Sequence, residues 1–122
     1  MLEMLIVDDE ETTVNFLKEF FEKEGFRVRI AYSGKVAVEE IEKKDADLIL
    51  LDVQMPGMDG IEVLKRIKQK KSMAKVLMVT GENDPETIEK TLQCGADYYI
   101  LKPFMLQELT KQVRKMAEEV LR

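Results

Sequence analysis

Short apolar blocks alternate with amphipathic blocks five times along the 122 residues, and this alternation limits the possible folds more than any other feature. Leu5–Val7 is an apolar run. Val14, Leu17, Phe20 and Phe21 then recur at helical spacing up to Gly25, a residue suited to ending a helix. Phe26, Val28 and Ile30 alternate with Arg27 and Arg29, which is the period of a strand. A short helix follows Gly34 with Val38 and Ile41 facing inward, and Leu48–Leu51 is a third strand. Gly60–Lys70 carries Ile61, Leu64 and Ile67 on one side of a third helix. Val76–Val79 is the fourth strand. Asp84 suits the N-cap and Pro85 the first turn of a fourth helix, which has only Ile88 and Leu92 as apolar anchors. Tyr98–Leu101 is the fifth strand, and Leu106, Leu109, Val113, Met116 and Val120 line the last helix.

Five strand–helix units in succession predict an α/β fold with a parallel sheet covered by helices on both faces. Leu5–Val7, Leu48–Leu51 and Val76–Val79 are continuously apolar, as strands buried on both faces must be. The Arg-laced second strand and the Tyr-bearing fifth read as edges. Three central strands between two such edges fit the flavodoxin-like, doubly wound order 2-1-3-4-5 with five helices. That order places a ligand crevice at the carboxyl ends of strands 1 and 3. Residues 1–122 read as one domain, with no linker or repeat and no room for a second domain after the fifth helix.

Composition removes several function classes. The chain has no histidine, which excludes Ser-His-Asp and Cys-His hydrolysis, histidine–zinc sites and a histidine pH switch. Cys94 is the single cysteine, so no intrachain disulfide forms and a reducing cytoplasm is the expected location. Nineteen Lys and Arg against 24 Asp and Glu give a net charge of −5, without the basic footprint of direct nucleic-acid binding. No apolar run approaches the ~18 residues that span a membrane. Cys94 reads as a small buried apolar residue, and the eight methionines as core filler or processing remnants. The lysines around the end of the third helix (Lys68, Lys70, Lys71 and Lys75) read as a solvated helix terminus.

The chemistry lies at the strand ends. Strand 1 runs into Asp8-Asp9, strand 3 into Asp52, strand 4 into Thr80 and strand 5 into Lys102-Pro103. Taken singly, Asp8 or Asp9 reads as a helix N-cap, Asp52 as a turn residue before Met55-Pro56-Gly57, Thr80 as a capping hydroxyl and Lys102 as a solvated cation. Taken together they bring three carboxylates, a hydroxyl and one ammonium to one sheet edge. Two carboxylates 4 Å apart repel by about 4 kcal/mol at an effective dielectric near 20. Lys102 balances one charge, and a hard divalent cation such as Mg2+ suits the remainder together with phosphate oxygens. An aspartate in such a site can act as a nucleophile towards phosphorus. The first βα turn, Asp8-Asp9-Glu10-Glu11-Thr12, has no glycine, so it is no pyrophosphate cradle.

These residues also carry a family resemblance. Val7-Asp8-Asp9-Glu10, Leu51-Asp52-Val53-Gln54-Met55-Pro56-Gly57-Met58-Asp59-Gly60, Val79-Thr80-Gly81 and Lys102-Pro103-Phe104 stand in the order, and at the strand ends, of the signatures of response regulator receiver domains. The chain closely resembles that two-component signalling family over its whole length, in its stand-alone chemotaxis-type or phosphorelay-type form. The resemblance implies that Asp52 accepts a phosphoryl group. It implies that Asp9, Asp52 and the main-chain carbonyl of Gln54 ligate Mg2+ (or Mn2+), with Asp8 acting through a coordinated water. Lys102 would pair with a phosphoryl oxygen across a cis Lys102-Pro103 bond, and Thr80 and Tyr99 would form the switch. Asp59-Gly60 would shape the loop before the third helix, while Gln54 and Glu82 stand where the family tunes phosphoryl lifetime. The implied partners are a sensor histidine kinase or histidine phosphotransfer protein and a downstream protein that reads the surface of helix 4, strand 5 and helix 5. The implied assembly is a monomer or a weak phosphorylation-dependent dimer.

Two other readings compete. A Mg2+-dependent phosphohydrolase can also use an aspartate nucleophile, but the haloacid dehalogenase type needs a second Asp two positions later, where this chain has Gln54. An interaction domain that has lost phosphorylation would not need the complete acidic set. The expected activity is therefore phosphoryl transfer to and from the chain's own Asp52, not turnover of an outside substrate.

Overall fold

The computed structural model describes residues 1–81 and 85–122. The elements run β1 (Glu3–Val7), α1 (Glu11–Lys23), β2 (Arg27–Ala31), α2 (Gly34–Lys43), β3 (Leu48–Asp52), α3 (Gly60–Gln69), β4 (Lys75–Thr80), α4 (Pro85–Gln93), β5 (Tyr98–Leu101) and α5 (Leu106–Leu121). The strands form one five-stranded sheet in the order β2-β1-β3-β4-β5, every pair parallel. Element order and sheet order both match the sequence-based expectation. The Asp84 N-cap and the position of Glu82 lie outside the described residues.

Registered neighbours in a parallel sheet share a face, so the two cores follow from the strand sequences. Leu5, Val7, Ile49, Leu51, Val76 and Met78 face α2 and α3 and pack with Ala37, Ile41, Val63, Leu64 and Ile67. Met4, Ile6, Leu48, Leu50, Leu77 and Val79 face α1 and α5 and pack with Val14, Leu17, Phe21, Leu109, Val113 and Met116. Fully burying a Leu or Phe contributes roughly 1.5–3 kcal/mol, which makes these two layers the main source of stability. Gly34 allows α2 to meet α3 closely, because a Cβ there would lie 2.6 Å from Val63 Cγ2. Gly25 ends α1 with φ +100°, as expected of a glycine at that position.

Several element details differ from the sequence reading. β1 begins at Glu3, earlier than the apolar run, because the Glu3 N–H donates to Asp47 Oδ2 at 2.8 Å and its carboxylate accepts from Lys44 Nζ at 3.0 Å. Val63 and not Ile61 fills the buried position of α3, with Ile61 half-buried. Leu92 is 42% exposed and does not anchor α4. The buried residue of α4 is Thr91, whose Oγ1 donates to the Ile88 carbonyl at 2.7 Å and so satisfies its hydroxyl internally. Cys94 is half-buried against the α2–α3 core, not enclosed by it. Among the methionines, Met4, Met55, Met78 and Met116 are buried fillers, whereas Met1, Met73 and Met105 are exposed.

Candidate functional site

Asp8 and Asp52 follow Ile6 and Leu50 on the α1–α5 face of the sheet, each at the end of a central strand. They are 6% and 4% exposed, whereas Asp9 is exposed. Both buried aspartates are held by their own loops. The Glu10 N–H donates to Asp8 Oδ1 at 2.9 Å, and the Gln54 N–H donates to Asp52 Oδ1 at 3.1 Å. Each is an aspartate bonding the amide two residues on, the geometry of an Asx turn. The N-cap reading of Asp8 or Asp9 does not hold. Glu10 occupies the N-cap of α1 without a side-chain cap bond, and its carboxylate instead accepts from Thr13 Oγ1.

The second oxygen of Asp52 faces the opposite charge. Lys102 Nζ lies 3.3 Å from Asp52 Oδ2 and 3.8 Å from Asp8 Oδ2. Lys102 is placed by its backbone, whose N–H donates to the Thr80 carbonyl at 2.7 Å, and the Lys102-Pro103 peptide is cis. Asp8, Asp9 and Asp52 each offer a carboxylate oxygen, and these atoms all lie within 4.8 Å of one another. Three carboxylates against one ammonium leave a formal excess of two negative charges. Burial pushes the Asp8 carboxyl above its ordinary value, and the carboxylates of Asp52 and Asp9 push it further, against the pull of the Glu10 amide and Lys102. Clustered, hard, partly desolvated oxygen donors of this kind fit Mg2+ or Mn2+.

The loop after β3 is held tightly. The Gly60 N–H donates to the Val53 carbonyl at 2.8 Å, and a Cβ on Gly60 would lie 2.3 Å from the Asp52 carbonyl oxygen. Only glycine lets α3 start this close to the strand that carries Asp52. Asp59 caps α3 by accepting from the Glu62 N–H at 2.9 Å. Sequence reading assigned Asp59-Gly60 to the loop but did not foresee the backbone contact. A glycine eight residues after a strand-end aspartate was the available signal.

The two remaining residues singled out from the sequence stand on β4 and β5. Thr80 ends β4 and is buried. Tyr99 of β5 pairs in register with Met78 of β4, two positions short of the Thr80–Leu101 pair. Its ring is 39% exposed, so it stands outside the acidic cluster on the edge strand.

The sequence profile described as the response regulator receiver domain matches residues 4–114. The chain belongs to that family. It is 40% identical over 111 residues to the alkaline phosphatase synthesis transcriptional regulatory protein PhoP of Bacillus subtilis. That match covers 91% of this chain and 46% of PhoP, so the chain spans about half the length of this relative. A CheY-like response regulator receiver domain protein from Methanospirillum hungatei superposes with a TM-score of 0.93 at 32% identity, covering 98% of this chain and 96% of the other. The response regulator TrrA of Thermotoga maritima, solved in complex with Mg2+-BeF, superposes with a TM-score of 0.84 at 34% identity, covering 95% and 99%. These receivers share the five-stranded 2-1-3-4-5 architecture found here. Among the described residues, no helix is long and apolar enough to cross a membrane.

Proposed function

We propose that this receiver accepts a phosphoryl group on Asp52 and acts as a phosphorylation-operated switch. The supporting observation is the setting of the Asp52 carboxylate. It is nearly closed to solvent, held on one oxygen by the Gln54 amide and faced on the other by Lys102 at 3.3 Å. Phosphoryl transfer depends chiefly on positioning and charge neutralisation. In the proposed step an Asp52 oxygen bonds to phosphorus as the phosphorus–nitrogen bond of a phosphohistidine breaks, and the electron pair leaves on the imidazole nitrogen. The chain has no histidine, so a sensor histidine kinase or histidine phosphotransfer protein must supply the donor.

Asp9, Asp52 and the main-chain carbonyl of Gln54 would hold Mg2+ or Mn2+, with Asp8 supporting through water. A bound cation would supply neutralising charge to the phosphoryl oxygens. Lys102 would pair with one of those oxygens after losing its present partner, Asp52 Oδ2. Thr80 would turn towards the phosphoryl group, and the Tyr99 ring would then move inward and change the α4–β5–α5 surface read by a downstream protein. Residues 1–122 form one receiver unit in this reading, working in the cytoplasm as a monomer or weak phosphorylation-dependent dimer. The unit neither contacts nucleic acid directly nor turns over an outside substrate. A phosphohydrolase reading is disfavoured by the amide side chain of Gln54 two positions after Asp52, which cannot act as a general acid.

Incubation with acetyl phosphate and Mg2+ followed by intact-mass measurement tests the proposal. One phosphoryl group should be added to the native chain and none to Asp52→Asn, with no addition in excess EDTA. Undiminished acid-labile phosphate in Asp52→Asn would overturn it, and sustained release of inorganic phosphate would favour the hydrolase.

A further inference from the structure

Residues 54–59 form a short loop between β3 and α3, closed at its base where the Gly60 N–H donates to the Val53 carbonyl at 2.8 Å. Its near end is held by the Val53 N–H on the Val79 carbonyl at 2.9 Å and the Gln54 N–H on Asp52 Oδ1 at 3.1 Å. Its far end is held by Asp59, which caps α3. Between the ends, buried Met55 and half-buried Met58 pack into the core that α2 and α3 share. Gly34, the first residue of α2, bears on this loop from the side. A Cβ there would lie 3.0 Å from Met58 Cβ and 3.1 Å from the Met58 carbonyl oxygen, besides 2.6 Å from Val63 Cγ2. We propose that Gly34 is a positioning residue for the cation site: lacking a side chain, it lets the first turn of α2 rest on Met58 and so sets where the Gln54 carbonyl stands relative to the Asp52 carboxylate. The inference rests on the reading of Gln54 as a main-chain ligand and adds to it α2, an element with no part in that reading.

Three observations support this role. The Met58 atoms that Gly34 faces are Cβ and the carbonyl oxygen, which no change of rotamer moves. Relief of a contact there requires the main chain of the loop to give by a few tenths of an ångström. The loop has little slack between Met58 and Gln54. Met55 is locked in the core at 8% exposure, and the ring of Pro56 fixes its own φ. Gly57, with φ +80° and open space around it, is the one position between them free to absorb a displacement. The ligand itself is intolerant. A main-chain carbonyl is re-aimed only by moving the backbone, and Mg2+ demands near-ideal octahedral geometry.

Three variants of the full chain test the proposal, with Mg2+ alone as the probe and binding followed by amide shifts. Gly34→Ala should bind Mg2+ about tenfold more weakly than the native chain, the scale usual when the support behind a metal ligand is lost. Without metal, its amide shifts should change at Gln54 as well as beside the substitution. Val63→Ala loosens the α2–α3 contact but leaves Gly34 against Met58, so it should lower the melting temperature and bind Mg2+ as the native chain does. The double variant Gly34→Ala, Val63→Ala removes the 2.6 Å clash and keeps both contacts with Met58, so its Mg2+ binding should remain weak. It also carries the test should Gly34→Ala alone fail to fold. Native affinity in Gly34→Ala would overturn the positioning role, because Gly57 would then absorb the displacement. Native affinity restored in the double variant, or Val63→Ala as weak as Gly34→Ala, would overturn it in favour of α2–α3 packing. A native chain that takes up no Mg2+ would overturn both the cation reading and this one, whereas unchanged binding in the variants leaves the cation reading standing.

Discussion

Two single residues carry more of the structure than their side chains suggest. Gly60 meets the Asp52 carbonyl with no room for a methyl group, since a Cβ would stand 2.3 Å from a backbone oxygen that cannot move without shifting β3. Gly60→Ala should lower stability by about 1–3 kcal/mol, as overpacking against backbone does. It should also displace Asp52, visible as amide shift changes at Val53 and Gln54 that a merely destabilised core would not concentrate there. Denaturant unfolding and an amide spectrum check both. Glu3 is the other. The hydrogen bond from Lys44 holds its carboxyl below the ordinary value against the opposing effect of burial, with the charges of Lys44, Arg27 and Arg29 adding to the lowering. A carboxyl whose pKa falls on folding contributes stability that is fully present above its unfolded value and is lost as pH falls through the folded one. Glu3→Gln should therefore lower the melting temperature at neutral pH. The gap should begin to close as pH falls past the ordinary 4.5 and vanish in stronger acid. A gap that persisted unchanged at low pH would assign the effect to packing. Neither role is legible in the sequence: Glu3 depends on Lys44, 41 residues further along the chain, and Gly60 on how the intervening loop folds back onto the end of β3.

Among the elements, α4 contrasts with the other described helices. α1, α2, α3 and α5 each bury three or four residues, while α4 buries Thr91 alone. Little apolar burial means a low free energy of local opening. Backbone amides of α4 after Pro85, which has no N–H, should exchange with deuterium well before those of Leu109–Met116 under native conditions, and mass-resolved exchange measures this directly. Beryllofluoride with Mg2+ should alter exchange or amide shifts across α4, β5 and the start of α5. Thr80→Ala should mute that response, and changes confined to α1 and α2 would refute the proposed switch. The weak anchoring of α4 was legible in its sparse apolar residues. The identity of the anchor was not, because Thr91 is polar and buries by bonding its own helix. The same limit applies to Ile61 and Val63: helical period marks the inward side, but the close approach at Gly34 decides which residue reaches the core. The strands were the most legible elements, since an uninterrupted apolar run has no other way to be buried than between two helical layers.

At the scale of the whole molecule, the site sets stability against function. Asp8 has its carboxyl held above the ordinary value of 3.8, so its ionised form costs folding free energy at neutral pH. Asp8→Asn should raise the stability of the metal-free chain near neutrality and lose that advantage well below pH 3.8. Added Mg2+ should raise the melting temperature of the native chain more than that of the variant, narrowing the gap. Unequal stability at neutral pH in the opposite sense would contradict the burial argument. The sequence made the strand-end residues legible together because each follows a recognisable apolar run. The hydrogen bonds that aim them arise only once the strands align. That alignment has a temporal side as well. Asp8, Asp9 and Asp52 are translated first, and Lys102, the counter-charge to Asp52, follows 50 residues later. At roughly 5–20 residues per second, the growing chain carries its acidic trio without that partner for about 3 to 10 s. The nascent protein therefore already contains the carboxylate proposed as acceptor while it is still unable to assemble the complete site, which needs the residue that directly follows the fifth strand.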